Sequence, residues 1–209
     1  MDIRQKVKEV KQSFRLMMDG ATAQSMREKG LQYRVNWGAT LPRLHELADQ
    51  LKAEADGQCY DLALALWKED VRECKILATL LMPADEILPE VVDLWMEQTP
   101  TVEIAEQAAF NLYQHLPFAA EKAFLWMSSS NDLPQICAYH VLSRLFSRRQ
   151  ELNERGINEF VDQALAALQS TNPVLRKAAM QAMVHFADLG LMYQRMAQSA
   201  IRSIGLDFL

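Results

Sequence analysis

The chain has 209 residues, half of them apolar, with a formal net charge of −5. That is enough apolar material for a continuous core in one elongated domain or two small ones. With only seven Gly, seven Pro and no dense β-branched runs of period two, sheet architectures are excluded and an all-α domain is expected.

No apolar run reaches the roughly 18 residues of a membrane span, and the start, MDIRQKVKEV, carries no apolar signal core. The three cysteines, Cys59, Cys74 and Cys137, form no CxxC and read as reduced thiols, so a soluble cytoplasmic protein is expected. Charge is unevenly spread. Residues 1–56 hold ten Lys/Arg and eight Asp/Glu, residues 57–130 four and twelve, and residues 131–209 eight and seven. The acidic middle disfavours a polyanion bound along the whole length but leaves room for a local basic face.

A first helix is predicted over residues 2–18, with Ile3, Val7, Val10, Phe14 and Met17 inward and Arg4, Lys8, Lys11 and Arg15 elsewhere. A short helix follows Asp19-Gly20 and stops at Gly30. The segment LQYRVNWGATLPRL reads as an ordered loop feeding a helix capped by Thr40, with Pro42 in its first turn, ending near Asp56-Gly57. Tyr60–Met82 then holds two apolar runs broken by Lys68-Glu69-Asp70, an αα-hairpin whose helices cannot bury their stripes alone.

The second half of that hairpin repeats. From Val71, offsets of 3, 7 and 10 give Cys74, Ala78 and Leu81; from Val102 they give Ala105, Ala109 and Leu112; from Gln135, Ala138, Leu142 and Leu145; from Leu175, Ala178 and Ala182, with His185 breaking the pattern. A small residue at the first offset lets helices approach closely. Partner helices are predicted at Asp85–Glu97, Phe118–Met127 and Asn153–Leu168, with Gly190 before a last helix, Met192–Ile204. The expected architecture is all-α, with helix-pair repeats forming a short curved α-solenoid: N-terminal helices in 1–30, repeats over 41–187 and a capping helix at 190–204, in one domain spanning 1–209.

LALALWKEDVRECKILATLLM, residues 62–82, resembles the hallmark hairpin of the AlkD-like DNA alkylation repair family, HEAT-like-repeat alkylpurine DNA glycosylases. QYRVNWGATLPRLHELADQL resembles that family's loop-and-helix entry, and VLRKAAMQAM its late Arg-Lys-Ala helix. The resemblance implies a DNA cradle whose active members excise cationic alkylpurines without flipping the base into a pocket. A carboxylate beside the sugar stabilises the oxocarbenium-like transition state, and aromatic faces contact backbone and lesion. Carried over, the family's Trp-x-x-x-Asp falls on Thr99 to Glu103, its next basic residue on Ile136 and its late Trp on Gln181. Only the carboxylate is kept in kind, which implies weak or absent glycosylase activity.

Glu103 is therefore the candidate catalytic carboxylate, against the commoner reading of a first-turn Glu favoured by a helix N-terminus capped by Thr99 or Thr101. If it faces the groove, Glu103→Gln should abolish any excision with stability nearly unchanged. Trp37 is the tryptophan least suited to burial, while Trp67, Trp95 and Trp126 fit a core. Arg144, Arg148, Arg149, Arg176 and Lys177 are candidate phosphate contacts, against the alternative of a solvated charged surface. Cys137 and His140 share a helix face but have no second ligand pair, so no metal site is expected, and no phosphate loop or nucleophile elbow suggests a cofactor. Two functions stay open: a divergent repair-family protein binding duplex DNA on a concave face, or a non-enzymatic solenoid binding a protein or peptide.

Overall fold

The computed structural model describes residues 2–54 and 57–209, and these are helical throughout apart from turns and loops. The chain falls into two compact units, residues 1–117 and 118–209.

The first unit contains α1 (Ile3–Ser13), α2 (Gly20–Glu28), α3 (Leu41–Glu54), α4 (Cys59–Trp67), α5 (Arg72–Leu81), α6 (Pro89–Glu97) and α7 (Val102–Asn111). α1 is shorter than the sequence pattern suggested, because the chain tightens into a 3₁₀ turn at Phe14–Leu16. The Asp2 and Asp19 side chains accept from the backbone N–H of Arg4 and Thr22 and so start α1 and α2. The expected end of α3 near Asp56 lies outside the described residues. α6 begins at Pro89, not Asp85, since proline fits the first helical position, where its missing N–H is not needed.

α4 and α5 pack as the expected hairpin, and α5 lies between α3 and α7. Tryptophan supports this layer: Trp67 and Trp95 stack with ring centroids 4.2 Å apart and planes 6° apart. The buried Lys75 ammonium caps the Trp67 carbonyl at 2.5 Å and sits 4.5 Å from the Trp67 ring centroid.

The second unit contains α8 (Ala119–Met127), α9 (Asp132–Ser147), α10 (Glu154–Leu168), α11 (Pro173–Ala187) and α12 (Leu191–Ser203). α8 pairs with α9, α10 with α11, and α9 packs along α11. The Asn153 and Asn172 side chains cap α10 and α11. Phe146, Phe160 and Phe186 form an aromatic core with centroids 5.0–5.5 Å apart, and Tyr193 closes on Phe186 edge-on. In both units the small residues at the first offset, Cys74, Ala105, Ala138 and Ala178, are buried, so the repeat seen in the sequence is a packing repeat. No helix among the described residues is long and apolar enough to cross a membrane.

Candidate functional site

The first unit contains a buried ionic cluster around the candidate carboxylate. Thr101 supplies the cap of α7, its hydroxyl accepting from Ile104 N–H at 3.3 Å, which sets Glu103 in the first turn. Thr99 instead is buried and donates to the Trp95 carbonyl at 2.8 Å. Arg72, at the start of α5, grips Glu103 with two nitrogens, Nη2 to Oε1 at 2.6 Å and Nε to Oε2 at 2.9 Å. This is the fork geometry that makes arginine–carboxylate pairs strong. The Tyr33 hydroxyl donates to Glu103 Oε2 at 2.5 Å and lies 2.7 Å from the Thr101 hydroxyl.

The guanidinium is also tied to the entry loop. Arg72 Nη1 donates to the Ala39 carbonyl at 2.9 Å, and Arg72 N–H donates to Val35 O at 3.0 Å. Its neighbour Glu73 accepts from Trp37 N–H and Ala39 N–H, both at 3.2 Å, and from Arg72 Nη1 at 3.3 Å. Side-chain exposure is 1% for Arg72, 0% for Glu73 and 15% for Glu103, so only Glu103 reaches solvent, and narrowly.

Burial pushes the Glu103 carboxyl up, but the Arg72 hydrogen bonds and charge, with the Tyr33 donor, outweigh it and hold the acid below its usual range. Burial and the Glu103 acceptor push the Tyr33 phenol up, so it stays a neutral donor. Burial lowers and Glu103 raises the Arg72 guanidinium, with a net rise. Chemically the cluster is a fixed, ionised carboxylate whose field is largely offset by the adjacent guanidinium. On the same helix as Arg72, burial pushes the Cys74 thiol up to about 12, so it stays protonated.

Tyr33, Arg72 and Glu73 were not singled out by the sequence reading. The available signal was a charged Arg-Glu pair inside the most apolar stretch of the chain, where burial without partners would be prohibitive.

Trp37 is half-buried, whereas Trp67, Trp95 and Trp126 are core residues at 1%, 2% and 6% exposure. Its carbonyl accepts from Asp19 N–H at 2.9 Å, and the next residue, Gly38, has φ +73°. Trp37 lines a cavity of about 360 Å³ together with residues of α1, Arg15 and Glu69.

The basic residues of the second unit do not form a single cluster. Asp132 meets Asn172 at 2.7 Å and Ser143 meets His185 at 2.7 Å, so α9 and α11 run parallel. Arg144, Arg148 and Arg149 thus lie toward the C-terminal end of this pair, and Arg176 and Lys177 at the N-terminal end, on the order of 20 Å apart. Two of the guanidiniums hold loop carbonyls, Arg149 that of Asp188 and Arg176 that of Ser170 at 2.6 Å. Of the positions on which the resemblance would put the family's basic and late aromatic residues, Ile136 is buried and Gln181 is exposed. Cys137 is fully buried, and no group of three or more metal-ligating side chains is found among the described residues.

Comparison with known proteins adds two positive findings. A family model described as DNA alkylation repair enzyme matches residues 10–183. A solved structure from a new family of proteins related to the HEAT-like repeat DNA glycosylases with affinity for branched DNA structures superposes with a TM-score of 0.77. That likeness covers 95% of this chain and 83% of the other at 13% identity, and it shows the HEAT-like repeat fold. No curated protein matches significantly.

Proposed function

The chain belongs to the DNA alkylation repair enzyme family, and we propose that it binds duplex DNA without appreciable excision of alkylated bases. The observation that carries this reading is the bidentate Arg72–Glu103 pair with Tyr33 on the same carboxylate. A glycosidic bond to a cationic purine breaks through positive charge on the sugar, and a carboxylate helps only through field it has not already spent. Here the guanidinium stands 2.6 Å away and takes most of that field.

The surrounding positions support the same reading. Carried over from the family resemblance, the tryptophan positions fall on Thr99 and Gln181 and the basic position on Ile136, a set without stacking or phosphate-binding side chains. The fold neighbour, related to DNA glycosylases and having affinity for branched DNA, makes a junction a natural second probe.

The test is binding of labelled duplex and four-way-junction DNA at two salt concentrations. Affinity that falls steeply with salt supports the proposal. Absence of binding to both at low salt refutes it and directs attention to a protein partner.

A further inference from the structure

We propose that the exposed side of α1, with Trp37, is the phosphate-binding surface of the first unit, and that its occupant is the backbone of duplex DNA. This rests on the reading of the chain as a DNA binder and names the surface that does it.

Arg4, Lys8 and Lys11 follow one another on α1 at intervals of four and three residues, the spacing of one helix side, and Arg15 follows in the 3₁₀ turn that continues it. They extend over about 16 Å, the length of four or five phosphates along one strand. The adjacent side of the helix is already used. Val7, Val10 and Phe14 are buried, and α1 packs on α4, so its cations are held on a fixed support. That anchoring also disfavours an anionic membrane as occupant, because a surface-bound amphipathic helix needs its apolar side free to enter the lipid.

The four cations line one cavity with Gln12, Trp37 and Glu69. Glu69 pairs with Lys11 at 2.5 Å. Among the described residues no carboxylate pairs with Arg4, Lys8 or Arg15, and these three are exposed. Such a concentration of unspent positive charge is notable on a chain of net charge −5, and charge complementarity selects a polyanion.

Trp37 adds a flat aromatic face beside the cations. Glu73 bonds its N–H, Asp19 N–H bonds its carbonyl, and Gly38 turns the chain immediately after it. The loop is therefore held in place before any ligand arrives, so little ordering entropy opposes binding. Aromatic and cationic groups together are what sugar–phosphate surfaces are gripped with.

The experiment compares the full chain with Arg4→Gln/Lys8→Gln/Arg15→Gln and, as a control of equal type, Arg176→Gln/Lys177→Gln. Binding of a labelled duplex is followed by anisotropy across a salt series. Thermal melts confirm that the exposed substitutions leave the fold intact. The α1 variant is expected to lose at least about tenfold in affinity and to flatten the slope of log K against log salt by about 0.9 for each contact removed. The second-unit control is expected to change the slope less. Duplex should also quench the tryptophan emission of the wild type, and Trp37→Phe should remove that quenching.

An unchanged slope in the α1 variant, with the wild type still binding duplex, would overturn this assignment and leave the DNA-binding reading standing. No duplex binding by the wild type would overturn both. Tighter binding to vesicles of anionic lipid than to duplex, lost in the same α1 variant, would overturn the choice of occupant.

Discussion

Arg72 and Glu103 are joined across two helices by a two-point contact, 2.6 and 2.9 Å, in which the guanidinium is almost wholly buried. The pair fastens α5 to α7 and, through Ala39 and Glu73, fastens the 33–39 loop to both. The carboxylate that the family resemblance marks as the catalytic candidate thereby has a structural duty.

Removing Arg72 leaves Glu103 and the buried Glu73 without their shared cation, whereas neutralising Glu103 leaves Arg72 with Glu73 alone. Arg72→Met should cost about 3–5 kcal/mol. Glu103→Gln should cost on the order of 1–3 kcal/mol, because Arg72 keeps a neutral acceptor and Glu73 at 3.3 Å but loses its nearer carboxylate. The sequence alone suggested near-unchanged stability for Glu103→Gln, and the arginine behind it is what changes that expectation. Denaturant unfolding of both variants and their combination checks the point. Coupling indistinguishable from zero in that cycle would contradict the described contact.

Acid should act through the same carboxylate. Its folded pKa is depressed, so its contribution is complete above the unfolded value, about 4.3, and is lost as pH falls through the lower folded value. Unfolding free energies of wild type and Glu103→Gln, measured from neutral pH down through the carboxylate range, should therefore converge on acidification. A gap that stayed constant would argue against an ionised Glu103.

Gly38 has no room for a side chain. A Cβ there would stand 2.1 Å from the Asp19 carbonyl oxygen, at a φ of +73° that already disfavours any other residue. Gly38→Ala should destabilise by more than about 2 kcal/mol, backbone strain and displacement of Asp19 acting together. The Trp37 emission should also change as its loop shifts. An unaltered melt and spectrum would show that the loop is not held as described.

In the second unit the aromatic core is the equivalent anchor. Phe160 is fully buried, 5.0 Å from Phe146 and 5.1 Å from Phe186. Phe160→Ala should cost about 3–5 kcal/mol, whereas exposed Leu191→Ala on α12 should stay within about 0.5 kcal/mol. Equal effects in thermal or denaturant melts would disprove the placement of this core.

Helices and their buried faces were legible because burial imposes a period. The positions Cys74, Ala105, Ala138 and Ala178 could be read off by spacing and are all buried. The DNA alkylation repair resemblance was legible for the same reason, since its motifs are largely packing positions. The ionic cluster was not. Tyr33, Arg72 and Glu103 are separated by 31 to 70 residues in pairs, and nothing in local periodicity brings a loop tyrosine to the first turn of α7. Whether Thr99 or Thr101 would cap that helix was likewise undecided by residue type, since both are threonines. Backbone geometry chose Thr101 and sent Thr99 back to the Trp95 carbonyl. The second-unit basic residues looked like one group in sequence, and the parallel course of α9 and α11 separates them.

Whether Glu103 still catalyses is tested most directly by release of alkylated purine from methylated duplex DNA, at protein concentrations that saturate the duplex. Release no faster than the spontaneous rate is expected, because the Glu103 carboxylate is held by Arg72 and Tyr33. Release above that rate from the wild type, abolished in a folded Glu103→Gln variant, would contradict it and return Glu103 to a catalytic role.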